Sequence, residues 1–194
     1  MLCERPRGRE EIVKAIVSAA VPLIAERGVR DVTFRDIARA ARLQHSLITR
    51  HFGTKTALIE HIAHVLGETL FRSARESGAS FAQIWEGILA GHRTQLRAMV
   101  RIMLDTGAKG EPSPASTQRM EETVQWFRRQ IPASGDRLGA SLSIYITMSF
   151  LLGTEVLGTH IQKIMSLTDA ELDELRPRAV HVLLDSLTNA IVRS

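Results

Sequence analysis

The stretch TFRDIARAARLQHSLITRHFGTK, from Thr33 to Lys55, decides the fold. Thr33 is a good N-cap, and Ile37, Ala38 and Ala41 follow it at helical spacing. Leu43 packs the turn. A second helix from about Gln44 or His45 to His51 buries Leu47 or Ile48 and Phe52. Gly53 ends that helix and Thr54 caps the next. Two short helices joined across so tight a turn form a helix-turn-helix, whose second helix can enter a DNA major groove.

The wider stretch GVRDVTFRDIARAARLQHSLITRHFGTKTALIEHI resembles the N-terminal domain of the TetR family of bacterial transcriptional repressors. The matching signs are Glu26-Arg27-Gly28 at the end of a first helix, Thr33, Ile37-Ala38, Ala41, Leu43, His51-Phe52, Lys55 and Leu58. They run over roughly residues 9 to 60. Two positions depart from the family pattern. Arg42 stands where the family usually has a turn glycine, and Thr49 where it usually has tyrosine. The resemblance implies an all-α chain with a three-helix DNA-binding domain, residues 1–55, and a helical domain for effector binding and dimerisation, residues 56–194.

Roles in the motif follow partly from geometry. The Thr33 hydroxyl and the N–H groups of its helix offer a phosphate site. Arg35, one turn on, can reach a phosphate or a guanine edge. If Leu47, Ile48 and Phe52 face inward, then Gln44, His45, Ser46, Thr49 and Arg50 face outward. Gln pairs with adenine and Arg with guanine in the major groove. The resemblance implies that His45 and Ser46 lie near base edges, and that Thr49, His51 and Lys55 lie near phosphates. His51 has a second reading, as a helix-end histidine that hydrogen-bonds locally and holds the turn.

Charge agrees with this division. The net charge of the 194 residues is +4. Residues 1–55 carry eleven Lys/Arg against six Asp/Glu, a net of +5, and the remainder is close to neutral. An excess on that side is the footprint of a DNA-contacting domain, although five charges would also suit a solvated face. Arg5 and Arg7, in the basic tail of residues 1–8, read either as a mobile terminus or as an arm along phosphates. Cys3 is the one cysteine, so no internal disulfide can form, and a reducing cytoplasm is expected. No run of eighteen consecutive apolar residues suggests a membrane span.

Beyond the motif the chain reads as helix throughout. Residues 9–27 carry Ile12, Val13, Ile16, Val17, Ala20, Leu23 and Ile24 on one face, with Pro22 expected to bend it. Residues 54–77 form a long helix with Ala57, Leu58, His61, Ile62, Val65, Leu66 and Leu70 inward. The resemblance makes this the mechanical link between the domains. Residues 80–106 are helical, with a break near Gly91, and 117–130 return to helix. Loops are expected from Gly107 to Ser116 and from Pro132 to Gly135. Residues 136–163 are apolar almost all round and contain Gly139, Gly153 and Gly158, which suggests close packing against another helix. Thr168 or Asp169 caps a last helix to residue 193. The helices 136–163 and 169–193 either fill the monomer core or pair across a symmetric four-helix homodimer interface.

Catalytic signatures are missing. There is no Gly-rich phosphate loop, G-x-S-x-G, C-x-x-C or H-E-x-x-H. His61 and His64 with Glu60 and Glu68 offer a weak metal constellation, and a solvated helix face accounts for them more simply. No enzyme activity, metal or cofactor is expected. An apolar pocket is another matter, because it needs only a cavity with a few polar groups. Trp85, His92, Met99, Met103, Trp126, Tyr145, Met148 and Glu155 are the candidates to line one, against the plainer reading that they fill core. The expected function is a sequence-specific, ligand-responsive repressor that binds a near-palindromic double-stranded operator as a homodimer. The alternatives are a regulator without an effector, an activator, or a helical enzyme or structural dimer with a vestigial motif.

Overall fold

The computed structural model describes residues 8–77, 81–107, 118, 121–122, 124–126, 128–129 and 137–192. The described residues form helices and turns, with no strand among them. The helices are α1 (Arg9–Arg27), α2 (Phe34–Ala41), α3 (His45–Phe52), α4 (Lys55–Ser77), α5 (Phe81–Gly91), α6 (Arg93–Gly107), α7 (Arg137–Ile164) and α8 (Asp169–Val192). The described residues between Gln118 and Arg129 are also helical. The loop expected from Gly107 starts later, since Gly107 still belongs to α6, and its residues 108–116, the loop expected at 132–135 and the basic tail with Arg5, Arg7 and Cys3 lie outside the described residues.

Two compact units emerge. The first takes in Met1–Leu70 and Thr94–Glu111, the second Phe71–Arg93 and Pro112–Ser194. The unit that carries the motif therefore draws on α6, far beyond the 55/56 boundary read from the sequence. Its core joins Ile16, Ala20 and Ile24 of α1, Ile37 and Ala38 of α2, Ile48 of α3, Leu58 and Ile62 of α4, and Ala98 and Ile102 of α6. Burying an Ile or Leu side chain stabilises by about 1.5–3 kcal/mol, which is how helices of eight residues persist here. Pro22 is exposed, and α1 runs through it to Arg27.

Gly28 closes α1 at φ 81°, a region that favours glycine. Its surroundings add a second reason. A Cβ there would stand 2.9 Å from Oδ2 of Asp105 on α6. That same oxygen accepts the Val29 N–H at 2.6 Å. The other carboxylate oxygen lies 3.9 Å from Nε of Arg30. One acidic side chain from α6 thus clamps the turn that leads from α1 toward the motif.

In the second unit α5 packs on α8, and α7 on α8. Thr168, not Asp169, caps α8: its hydroxyl accepts the Glu171 N–H, and Glu171 accepts the Thr168 N–H. In the single chain α7 leaves much of its apolar surface open. Tyr145 is 70% exposed and Ile164 71%, with Leu142, Val156 and Leu157 also exposed. The glycines of this helix differ, and Gly139 has no described surroundings. Nothing lies within 4 Å of a Cβ placed at Gly153, and what approaches Gly158 is the Arg176 guanidinium at 3.3 Å. Residues Ile144–Ile164 are long and apolar enough, by length and composition alone, to cross a membrane. Glu155 and Lys163 within that span, and its one-sided exposed apolar surface, suit a packing face better.

The clamp gives a direct test. Asp105→Ala strands the half-buried Val29 N–H and is expected to cost about 1–3 kcal/mol, read by urea unfolding. Asp105→Asn, which keeps an acceptor oxygen, should lose less. Equal losses would mean that the ion pair to Arg30 carries the contact.

Candidate nucleic-acid interface

The motif is built from two eight-residue helices that lean on one core. Ile37 and Ala38 are buried on α2 and Ile48 is fully buried on α3, with Leu47 and Phe52 half-buried. The open choice between Leu47 and Ile48 as the anchor thus falls to Ile48. With that face inward, Gln44, His45, Ser46, Thr49 and Arg50 are all exposed. Five polar side chains of the stretch 44–50 form one outward surface. The structure brings together the residues that helical spacing predicted there.

The turn between the helices is closed by backbone. Leu43 N–H bonds to Ala38 O at 2.9 Å and Arg42 N–H to Arg39 O at 3.2 Å. Arg42 takes φ 55° and ψ 37°, the left-handed conformation that the family's usual glycine would adopt freely. The arginine therefore adopts it at a cost of about 1 kcal/mol.

The two helix starts differ in charge. At α2, Thr33 Oγ1 donates to Asp36 Oδ2 at 2.6 Å and accepts the Asp36 N–H at 3.2 Å. The Thr33 N–H donates to the same carboxylate at 3.0 Å. This reciprocal box occupies the hydroxyl proton that a phosphate would have used, and it puts the chain's own anion at the helix start. The side-chain hydrogen bond from Thr33, then the backbone one, hold the Asp36 carboxyl below its ordinary value of 3.8, with Arg27 and Arg39 adding attraction. At α3 no acidic residue lies in the first turn, and Gln44 makes no side-chain cap bond. That helix start keeps its positive polarity for something outside the chain.

The remaining predicted residues fall around this surface. Arg35 is exposed on α2. Thr49 Oγ1 makes a long contact to His45 O at 3.4 Å. His45 stacks at a tilt on Phe34, ring centroids 6.0 Å apart. His51 is half-buried, and its ring makes no hydrogen bond to a described residue, so the turn-holding reading gains no partner. Lys55 Nζ donates to Arg30 O at 3.2 Å, which leaves two of its three donors. Thr54 caps α4 through the Ala57 N–H at 3.1 Å.

Three features escaped the sequence reading. The pairing of Thr33 with Asp36 was visible as T-x-x-D. Arg39, with its side chain 83% exposed and 3.9 Å from Asp36, adds a cation to the same helix. Asp105 had no local signal at all.

A family model for bacterial regulatory proteins, tetR family, matches residues 16–62. The chain is 32% identical over 171 residues to the HTH-type transcriptional repressor Rv3405c of Mycobacterium tuberculosis, covering 88% of this chain and 86% of that one. The chain belongs to the TetR family. A TetR-family transcriptional regulator from Bordetella parapertussis shares the fold at a TM-score of 0.61, over 91% of this chain and 95% of that one, at 19% identity. The HTH-type transcriptional repressor KstR2 of Rhodococcus jostii is 37% identical over 65 residues, 34% of this chain and 32% of that one. As a member of the TetR family this chain is a DNA-binding transcriptional regulator, and the family is one of regulators rather than enzymes.

The expected pocket residues of this TetR-family chain are divided between the two units. Met99 packs against the core of the first unit, and Met103, more exposed, belongs to the same unit. Trp85, His92, Trp126, Tyr145 and Glu155 belong to the second. Trp85 is buried and Tyr145 mostly exposed. The Met148 side chain lies outside the described residues. A depression of about 670 Å³ is lined by Gln118, Glu121, Glu122, Gln125, Arg128 and Arg129 among others. His61 packs on Phe52 with centroids 5.4 Å apart. Burial and then the charge of His64 hold its pKa below 6.5. No three metal-competent side chains come together among the described residues.

The Thr33 box carries a pH signature. Asp36 has a folded pKa below its ordinary 3.8, so its contribution to stability is complete above that value and is lost as pH falls through the folded one. Thr33→Ala is expected to cost about 1 kcal/mol at neutral pH as a lost cap. It should also bring the Asp36 carboxyl back toward 3.8, read by NMR titration. Glu171, held low chiefly by the backbone hydrogen bond from Thr168, is the internal control and should not move.

Proposed function

We propose that this chain is a ligand-responsive repressor that binds a near-palindromic operator as a homodimer. The single observation that carries the DNA half is the surface of Gln44, His45, Ser46, Thr49 and Arg50. It lies opposite the buried Ile48, on a helix whose positive end holds no acidic residue. Gln44 and Arg50 are the base readers, with His45 and Ser46 near base edges. Thr49, His51, Lys55 and Arg35 contact phosphate. Thr33 acts through the helix start that its box with Asp36 shapes. Phosphate contacts supply most of the affinity and the α3 residues the sequence choice. The Mycobacterium tuberculosis relative is named a repressor, which supports the direction of regulation.

The homodimer reading rests on α7 and α8, through the regions read as 136–163 and 169–193. Tyr145, Val156, Leu157, Ile161, Ile164 and Val182 are all exposed in the single chain. Apolar residues repeated along two neighbouring helices suit a self-complementary interface. A small apolar molecule with a few polar contacts is the proposed effector, held in the second unit by residues such as Trp85, His92, Trp126 and Glu155. Its differential affinity for two states of the chain would change the setting of α4. A ligand equally bound in both would do nothing. A DNA regulator of this kind works in the cytoplasm, with no membrane partner and no cofactor.

Selection of bound fragments from random DNA, with salt dependence recorded, tests the core of this. A near-palindromic motif is expected, and no enriched motif would sink the reading. Lys55→Ala should then weaken binding to all duplexes and flatten the salt slope by about one unit. Gln44→Ala and Arg50→Ala should instead relax preference at particular base pairs by about 1–3 kcal/mol each. Equal losses on operator and random DNA for all three would show that the base-reading face lies elsewhere.

A further inference from the structure

The backbone at Arg42 is left-handed, and among the described residues only Ser166 shares that trait without being glycine. The conformation disfavours any residue with a Cβ. Turn closure does not need the side chain, because the Leu43 and Arg42 N–H groups close it onto Ala38 and Arg39 carbonyls. The guanidinium is exposed and pairs with no described residue. Asp36, the carboxylate nearest in sequence, is already engaged by Thr33 and faces Arg39. A strained position thus holds an uncommitted cation.

Its place gives the cation a use. Arg42 follows the last residue of α2 and stands two residues before Gln44, the N-cap of α3. The C-terminus of α2 favours a cation, but Arg39 already serves its last turn. The N-terminus of α3 disfavours one, and no acidic side chain in its first turn compensates. An anion brought to this corner from outside would pair with the Arg42 guanidinium and suit the start of α3. We propose that Arg42 contacts a DNA phosphate beside the entry of α3, and that the strained backbone is retained for the side chain it carries. Phosphate is preferred over a base edge because the residue lies in the turn, outside the helix whose side chains enter the groove. The inference rests on the proposed reading of α3 as the recognition helix.

Arg42→Gly in the full chain separates stability from binding, since glycine suits the backbone. The variant should melt no lower than the parent chain. Its affinity for the selected operator and for random duplex should fall together, about tenfold at moderate salt, with the salt slope reduced by about one. Arg42→Lys should restore most of the loss. Unchanged affinity and slope in Arg42→Gly would overturn the proposal. So would a loss confined to one operator base pair, which would make Arg42 a base reader. If the parent chain itself selects no sequence and shows no salt-dependent duplex binding, the recognition-helix reading fails first and this inference fails with it.

Discussion

The seating of Ile48 is the constraint on which the motif depends. An eight-residue helix is marginal in water, so α3 exists only because the core of α1, α2, α4 and α6 accepts that side chain. Complete burial of one residue fixes the rotation of the helix. The rotation decides that Gln44, His45, Ser46, Thr49 and Arg50 stand outward together. The chemistry of the DNA face is thus set from behind, by packing, before any contact with a base. Leu47 and Phe52, only half-buried, widen the anchor without competing for it.

Electrostatics sorts the two helix starts that packing leaves at the surface. Asp36 neutralises the start of α2 and spends the Thr33 hydroxyl in doing so. The start of α3 has no such internal anion. The same backbone polarity therefore stabilises the fold at one helix and remains for a partner at the other. Arg42, between them, belongs by its strained backbone to the second group.

Much of this was legible in the sequence because the signals are local. The Thr33 cap, the inward Ile37 and Ala38, the break near Gly91 and the apolar face of α4 all lie within a few residues of what they determine. The left-handed turn at Arg42 could be anticipated from the glycine it replaces. Asp105 could not, since it acts on a turn 76 residues away and an acidic residue in a helix has no mark of its destination. The apolar run of α7 left two readings open for a related reason. Periodicity reports that a face must be covered, not whether the chain itself covers it, and Tyr145 and Ile164 are left open. Met99 packs against the core of the first unit, a use that a methionine at helical spacing serves as readily as a pocket wall.

The division of the chain constrains how the second unit can influence the first. The chain passes between units within α4, at the start of α6, and again beyond the end of α6. Both helices end their path in the motif's own core, through Leu58 and Ile62 on one and Ala98 and Ile102 on the other. They also reach the same short turn by different bonds. Lys55 at the start of α4 holds the Arg30 carbonyl, and Asp105 near the end of α6 holds the Val29 N–H. A close-packed core does not deform smoothly, so a shift of either helix would load that turn rather than dissipate. On the proposed effector mechanism, the turn of Gly28 to Arg30 is where strain carried by α4 and α6 converges.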